Sequence, residues 1–385
     1  TAMSDSNHPV LHWSAEAIRL WLAGGAPASP APPETSRFLR EQRLEVLAAS
    51  WMPGLASPAE YARQALFQQR LLSEGSGLAS RLESAGIPCL CLRGPFAAAT
   101  LYPDPADRPF RDLDLLIPRE HARQALQVFR AAGFRLDQPR MPAGYFLRNH
   151  LHWMTVRDRD GIVCDLHWDV EHRFRPYRID LAALFAHSRR VESRGHAWRE
   201  PGLEHLFLLS ALHARKHLPA GFDPRNTHGI LFAPGCLFQW LDLALLCRQN
   251  FDWNLTARLA ADWNVEAVAG LAVRQLRTAF GIQFPGPMAA LESKAPAAVA
   301  RPPAWTGRLA FPVLGKKACF RSSKVADAVE FISRRHSSGR MLPTAIRRTG
   351  AVLQVGLAAA DTLVCAGWAG LGRKRNPAHH RSVTP

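Results

Sequence analysis

Five residues, Asp112-Leu113-Asp114-Leu115-Leu116, constrain the fold most. Side chains alternate between the two faces of a β-strand. A strand here therefore turns Asp112 and Asp114 to one side and Leu113 and Leu115 to the other, into a core. Two carboxylates projecting together repel each other unless a cation sits between them. Hard oxygen ligands suit Mg²⁺ or Mn²⁺, ions that also keep water and substrate phosphates in their coordination sphere. An Asp-x-Asp pair on a strand edge can equally be a solvated face, and the spacing alone leaves both readings open.

The flanking segments supply partners for this strand. A helix pattern over Gln64–Ser84 runs into Ala85-Gly86-Ile87-Pro88, a helix stop followed by a strand start. Ile87–Leu92 is short and apolar, as a buried strand is. After Gly94 comes a short helix, Phe96–Leu101, and then a loop, Tyr102–Arg111, with three prolines. Arg119–Ala132 is helix-like and stops at Gly133. Leu151–Arg157 and Ile162–Trp168 flank Asp158-Arg159-Asp160-Gly161, which predicts a hairpin. On its second strand Asp165 and His167 share a face, while Cys164 and Leu166 take the other. From Leu203 to about Phe280 the apolar spacing is helical. The expected fold is α+β: a small mixed sheet with helices on it, flanked by N-terminal helices and a C-terminal helical region. The expected division is a helical accessory region over 1–75, a catalytic domain over 76–200, a helical domain over 201–300, and a basic tail over 301–385 with a terminal amphipathic helix.

Several motifs in order resemble one family. Leu92-Arg93-Gly94-Pro95, Leu101-Tyr102-Pro103-Asp104, Arg108-Pro109 and Asp112-Leu113-Asp114-Leu115-Leu116 look like the signature of the uncharacterised bacterial nucleotidyltransferase family. That family lies within the DNA-polymerase-β-like nucleotidyltransferase superfamily. Val163-Cys164-Asp165-Leu166-His167-Trp168 resembles its V-x-D-L-H-W strand. Leu212-His213-Ala214-Arg215-Lys216-His217 and Trp240-Leu241-Asp242-Leu243 resemble its helical half. The resemblance runs from about Gln68 to Phe280. It implies a central mixed sheet with a metal-bound NTP at its open edge, and Asp112, Asp114 and Asp165 as metal ligands and catalytic carboxylates. In the superfamily a Gly-Ser pair contacts the triphosphate. Here Pro95 follows Gly94, so the hydroxyl is missing, although Gly94 still lets backbone approach a phosphate. Arg93, Arg108 and Arg111 are candidate phosphate partners, because guanidinium matches phosphate oxygens bidentately. Each is as readily a surface salt bridge. His167 and Lys216 complete the expected nucleotide-binding set.

The expected function is transfer of NMP from an NTP to a hydroxyl or phosphate acceptor on a small molecule, peptide or protein, with release of pyrophosphate. The cofactor would be Mg²⁺ or Mn²⁺. The alternative is a weakly active or inactive scaffold that binds a nucleotide or a partner. A third reading, a transferase acting on nucleic acid, rests on charge. The net charge is +16, and residues 301–385 hold fifteen Lys or Arg against three acidic residues. The basicity therefore belongs to the tail, which suits an anionic partner: a membrane surface, an acidic protein or nucleic acid. No specific nucleic-acid motif accompanies it. Gly350–Gly372 holds an apolar helical stripe, Leu353 to Leu371, read as amphipathic rather than membrane-spanning. The cytoplasm is the expected location, with this segment as a contact to a membrane surface. No secretory signal is expected. The seven Cys show no paired C-x-x-C spacing and read as reduced, mostly buried thiols. His213 and His217 share a helix face at a zinc-compatible spacing, without the Glu of H-E-x-x-H. They read as a polar face packed near the active site.

Overall fold

The computed structural model describes residues 9–137, 153–171, 177–218 and 237–296. The basic tail and its amphipathic stripe lie outside the described residues. Among the described residues, twelve α-helices and seven strands are formed. The N-terminal helices are α1 (Pro9–Leu22), α2 (Thr35–Glu41), α3 (Glu45–Ala48) and α4 (Pro58–Ser84). Strand β1 (Leu90–Cys91) precedes α5 (Pro95–Leu101), and β2 (Asp112–Leu116) precedes α6 (Ala122–Ala131). Then come β3 (Arg135–Leu136), β4 (Trp153–Arg157), β5 (Val163–His167), α7 (Leu181–Ala186), β6 (Arg189–Ser193) and β7 (His196–Glu200). The last described elements are α8 (Leu203–Lys216), α9 (Leu237–Leu246), α10 (Trp253–Asp262), α11 (Glu266–Phe280) and α12 (Gly286–Ala290).

The main sheet has the order β1-β2-β5-β4-β3. Strands β2 and β5 are parallel and the other pairings antiparallel, so the sheet is mixed, as expected. The β4–β5 hairpin forms across the expected tip, where the Asp158 carboxylate accepts from the Ile162 amide at 2.7 Å. The second sheet, the β6–β7 hairpin, was not expected from sequence. Its burial alternates only weakly, and its first strand is rich in charge.

Long α4 begins with a capping box: Ser57 accepts from the Glu60 amide, and Glu60 accepts from the Ser57 amide. The helix runs through the expected 75/76 boundary, and its buried residues Leu71, Leu72, Leu78, Ala79 and Leu82 cover the sheet. Gly75 permits the approach, because a Cβ there would meet Leu113 and Phe96 side-chain atoms, each at 3.0 Å. This face of the sheet, with Cys91, Leu113, Leu115, Met154, Val156, Cys164 and Leu166, forms one hydrophobic core.

The opposite face serves two purposes. Leu90, Leu92 and Leu116 join a second core built with α8, α9, α10 and α11. Residues of α1, α2 and α3 belong to that same core, so the N-terminal helices pack with the C-terminal helical layer. Arg19 of α1 ties them further, donating to the carbonyls of Ala279 and Thr278, each at 2.9 Å. What remains of this sheet face is polar. No helix among the described residues is long and apolar enough to cross a membrane.

Candidate active site

The register of the parallel pair builds the site. Asp114 stands directly beside Asp165, and Leu116 beside His167. Period-two alternation then puts Asp112, Asp114, Asp165 and His167 on the polar face. Oxygens of Asp114 and Asp165 and a His167 ring nitrogen lie within 4.8 Å of one another. Two carboxylates and an imidazole this close are a donor set for a divalent cation, with the carboxylates favouring Mg²⁺ or Mn²⁺. Asp112 stands at the exposed rim of the same face, outside that tight group.

Each carboxylate has a different setting. Burial opposes charge on Asp114, but Arg93 and the hydrogen bond to His167 outweigh it and hold its pKa well below the usual range. Arg93 donates to both oxygens, from Nη2 at 3.0 Å and Nε at 3.3 Å. His167 Nε2 lies 2.9 Å from Asp114 Oδ1. Burial pushes Asp165 up, although Thr155 opposes this by donating to its Oδ1 at 2.6 Å. Enclosure by surrounding protein pushes Asp112 up to about 6, with Asp114 and Asp165 adding repulsion.

Gly94 has φ 69°, in the left-handed region that favours glycine, and a Cβ there would come 3.2 Å from the Asp112 carbonyl oxygen. Any side chain would push the turn off β2, so glycine keeps this backbone against the acidic strand. Pro95 opens α5 without an N–H to offer.

The other expected residues divide. Arg111 is exposed beside Asp112. Arg108 is buried and bidentate with Asp242, Nη2–Oδ2 at 2.7 Å and Nε–Oδ1 at 3.2 Å. Tyr102 donates its hydroxyl to the same Asp242 at 2.8 Å, and Arg108 lies over the Phe238 ring. Lys216 pairs with buried Glu171 at 2.7 Å and donates to the Val170 carbonyl. The structure thus gathers Arg93, Gly94 and His167 around the carboxylates and leaves Arg111 exposed at the start of β2. It engages Arg108 and Lys216 with protein acids.

His213 of α8 faces a small cleft with Arg93, Ser210, Gln239 and Asp242, walled by Leu92, Leu101, Leu206 and Leu246. Burial, then the Arg93 charge, drive its pKa well below the ordinary histidine value, so it is neutral at pH 7. The His213 and His217 rings pack edge to face, with centroids 4.6 Å apart. Thr155, Glu171 and this cleft had no reading from sequence, and Tyr102 stood there only as part of a motif, without a role. Only Thr155 left a signal, because the 158–161 hairpin tip places it opposite Asp165.

A solved antigenic nucleotidyltransferase-like protein from Paracoccidioides brasiliensis is similar to this chain at 18% identity, covering 50% of this chain and 96% of that one, with a TM-score of 0.27. No curated protein matches the chain. The family model described as uncharacterised nucleotidyltransferase matches residues 55–281, the span from before α4 to the end of α11 that contains the whole main sheet and its carboxylates, and the chain belongs to that family.

Proposed function

We propose that the protein is a metal-dependent nucleotidyltransferase that transfers NMP from an NTP to a hydroxyl or phosphate acceptor and releases pyrophosphate. One observation carries this reading: Asp114 and Asp165 are in register on adjacent parallel strands, with Asp112 two residues along on the same face. The donor set fits Mg²⁺ or Mn²⁺, and Asp114, Asp165 and His167 would hold the ion, with Asp112 joining from the rim. Bound there, a divalent cation would polarise the α-phosphate and lower the pKa of an acceptor hydroxyl.

The chain's own groups supply the rest. Asp165, whose carboxyl burial makes more basic, accepts the acceptor's proton, and Thr155 holds one of its oxygens in place. Arg93 and Arg111 bind phosphate, and Gly94 lets the backbone come close. Arg108 acts as a strut through Asp242, and Lys216 latches the loop after β5. The acceptor belongs to a small molecule, a peptide or a protein.

A second reading, a binding scaffold without turnover, is favoured by Pro95 and by the Arg93 chelate on Asp114. Pyrophosphate release with each NTP, Mg²⁺ and cell extract as acceptor source separates the two. The reading expects release that falls about 100-fold or more in the Asp112→Ala/Asp114→Ala double variant. Equal release from wild type and a folded double variant would sink it.

A further inference from the structure

We propose that Arg93 is an internal counter-cation: it neutralises Asp114 while the site lacks metal, then moves onto the substrate's phosphate when metal and nucleotide arrive. This rests on the nucleotidyltransferase reading. Asp114 is the buried carboxylate of the metal-compatible group, and both of its oxygens already accept hydrogen bonds from Arg93. One of them is also contacted by His167. A divalent ion on Asp114 and a guanidinium chelating the same two oxygens would stand as like charges at close range, sharing lone pairs. They compete. The guanidinium also has somewhere to go, because Arg93 lines the cleft against α8 and α9 as well as the carboxylates. Within that cleft its neighbours are Ser210, neutral His213 and Gln239, and Asp242 is already held by Arg108 and Tyr102. Among the described residues lining the cleft no free carboxylate competes for Arg93, so a polyphosphate is the strongest alternative partner that chemistry offers it.

Metal and triphosphate binding are then linked through one side chain. Metal alone must displace Arg93 without giving it a new partner. Triphosphate supplies that partner, so each ligand favours the other.

The test is equilibrium binding by the full chain, for wild type, Arg93→Gln and Arg93→Lys. Mn²⁺ is titrated alone and followed by electron paramagnetic resonance. Inorganic tripolyphosphate is titrated in EDTA and followed by calorimetry. The expected result has opposite signs. Arg93→Gln binds Mn²⁺ about tenfold tighter than wild type and tripolyphosphate about tenfold weaker. Arg93→Lys keeps the charge but loses the bidentate chelate, so it lies between the two in both titrations. Loss of affinity for both ligands in Arg93→Gln would mean a structural role and overturn the proposal. So would unchanged Mn²⁺ affinity with wild type still binding the ion. No Mn²⁺ binding by any of the three, nor by wild type with tripolyphosphate added, would remove the metal-dependent reading together with this one.

Discussion

Arg108–Asp242 and Arg93–Asp114 are the same chemical pair in two settings. Both arginines come from the polypeptide around β1 and β2, and both are bidentate. Arg108 meets an aspartate on α9 that is also held by Tyr102, and among the described residues no second carboxylate shares that hydrogen-bonded group. Burial alone would lower the Arg108 pKa. The Asp242 charge outweighs burial and raises it, so the guanidinium stays ionised. Arg93 meets an aspartate with Asp112 and Asp165 close by and His167 on the same oxygen. The first pair satisfies both partners and joins the sheet domain to the helical layer. The second leaves excess negative charge around one cation, which is the condition for recruiting another. Neighbouring charge, and not the pair itself, separates a strut from a site.

The comparison breaks first on stability. Asp242→Ala leaves a buried guanidinium with only the Pro109 carbonyl among its described hydrogen bonds. Removing one partner of a buried ion pair costs about 3–5 kcal/mol, and denaturant unfolding should show a loss of that size. Asp114→Asn should cost less, about 1–2 kcal/mol, because the amide oxygen still accepts and repulsion from Asp112 and Asp165 is relieved. Equal losses at the two positions would mean that Asp114 is a structural anchor like Asp242. A smaller effect isolates the third member of the strut. Tyr102→Phe removes one hydroxyl donor to Asp242 while Arg108 stays, and should cost about 1 kcal/mol in the same assay. A double-mutant cycle with Asp242→Ala should show that the two losses do not add.

Local pattern made one half of this comparison legible and hid the other. The Asp-Leu-Asp-Leu alternation, the hairpin tip and the Asp165/His167 face were all readable, because a period of two residues fixes which side chains share a side. The helix, strand, helix order around them followed from Gly86, Gly133 and the apolar runs. The partner of Arg108 was not readable, since Asp242 lies on a helix from a separate part of the chain, and only packing of two layers brings them together. From sequence Arg108 therefore looked as free for phosphate as Arg93. The same non-locality hid Glu171 behind Lys216 and concealed that α1 packs on α11. The β6–β7 hairpin was missed for another reason. Its strands alternate weakly, and its turn residue Arg194 takes φ 52° without the usual Asn-Gly signal.

A pH-dependent effect sharpens the strut from its immediate neighbour in sequence. Asp107 precedes Arg108, yet burial, with repulsion from Asp104, pushes its pKa up to about 7. The Arg108 guanidinium faces Asp242 instead. Asp107 therefore stands apart from the Arg108–Asp242 pair. The sign follows from linkage: a folded pKa above the unfolded value of about 4 means the folded state binds the proton more tightly. Stability from this group is complete below about pH 4 and is lost as pH rises through about 7. Asp107→Asn removes the titration. Its melting temperature should exceed that of wild type above pH 7, with the gap closing as pH falls toward 4. The opposite trend, a variant less stable at pH 8 and a wild type that weakens on acidification across this window, would mean that Arg108 divides its charge between Asp107 and Asp242. The strut would then be less exclusive than its geometry indicates, and Arg108 would be free enough to reconsider as a phosphate partner.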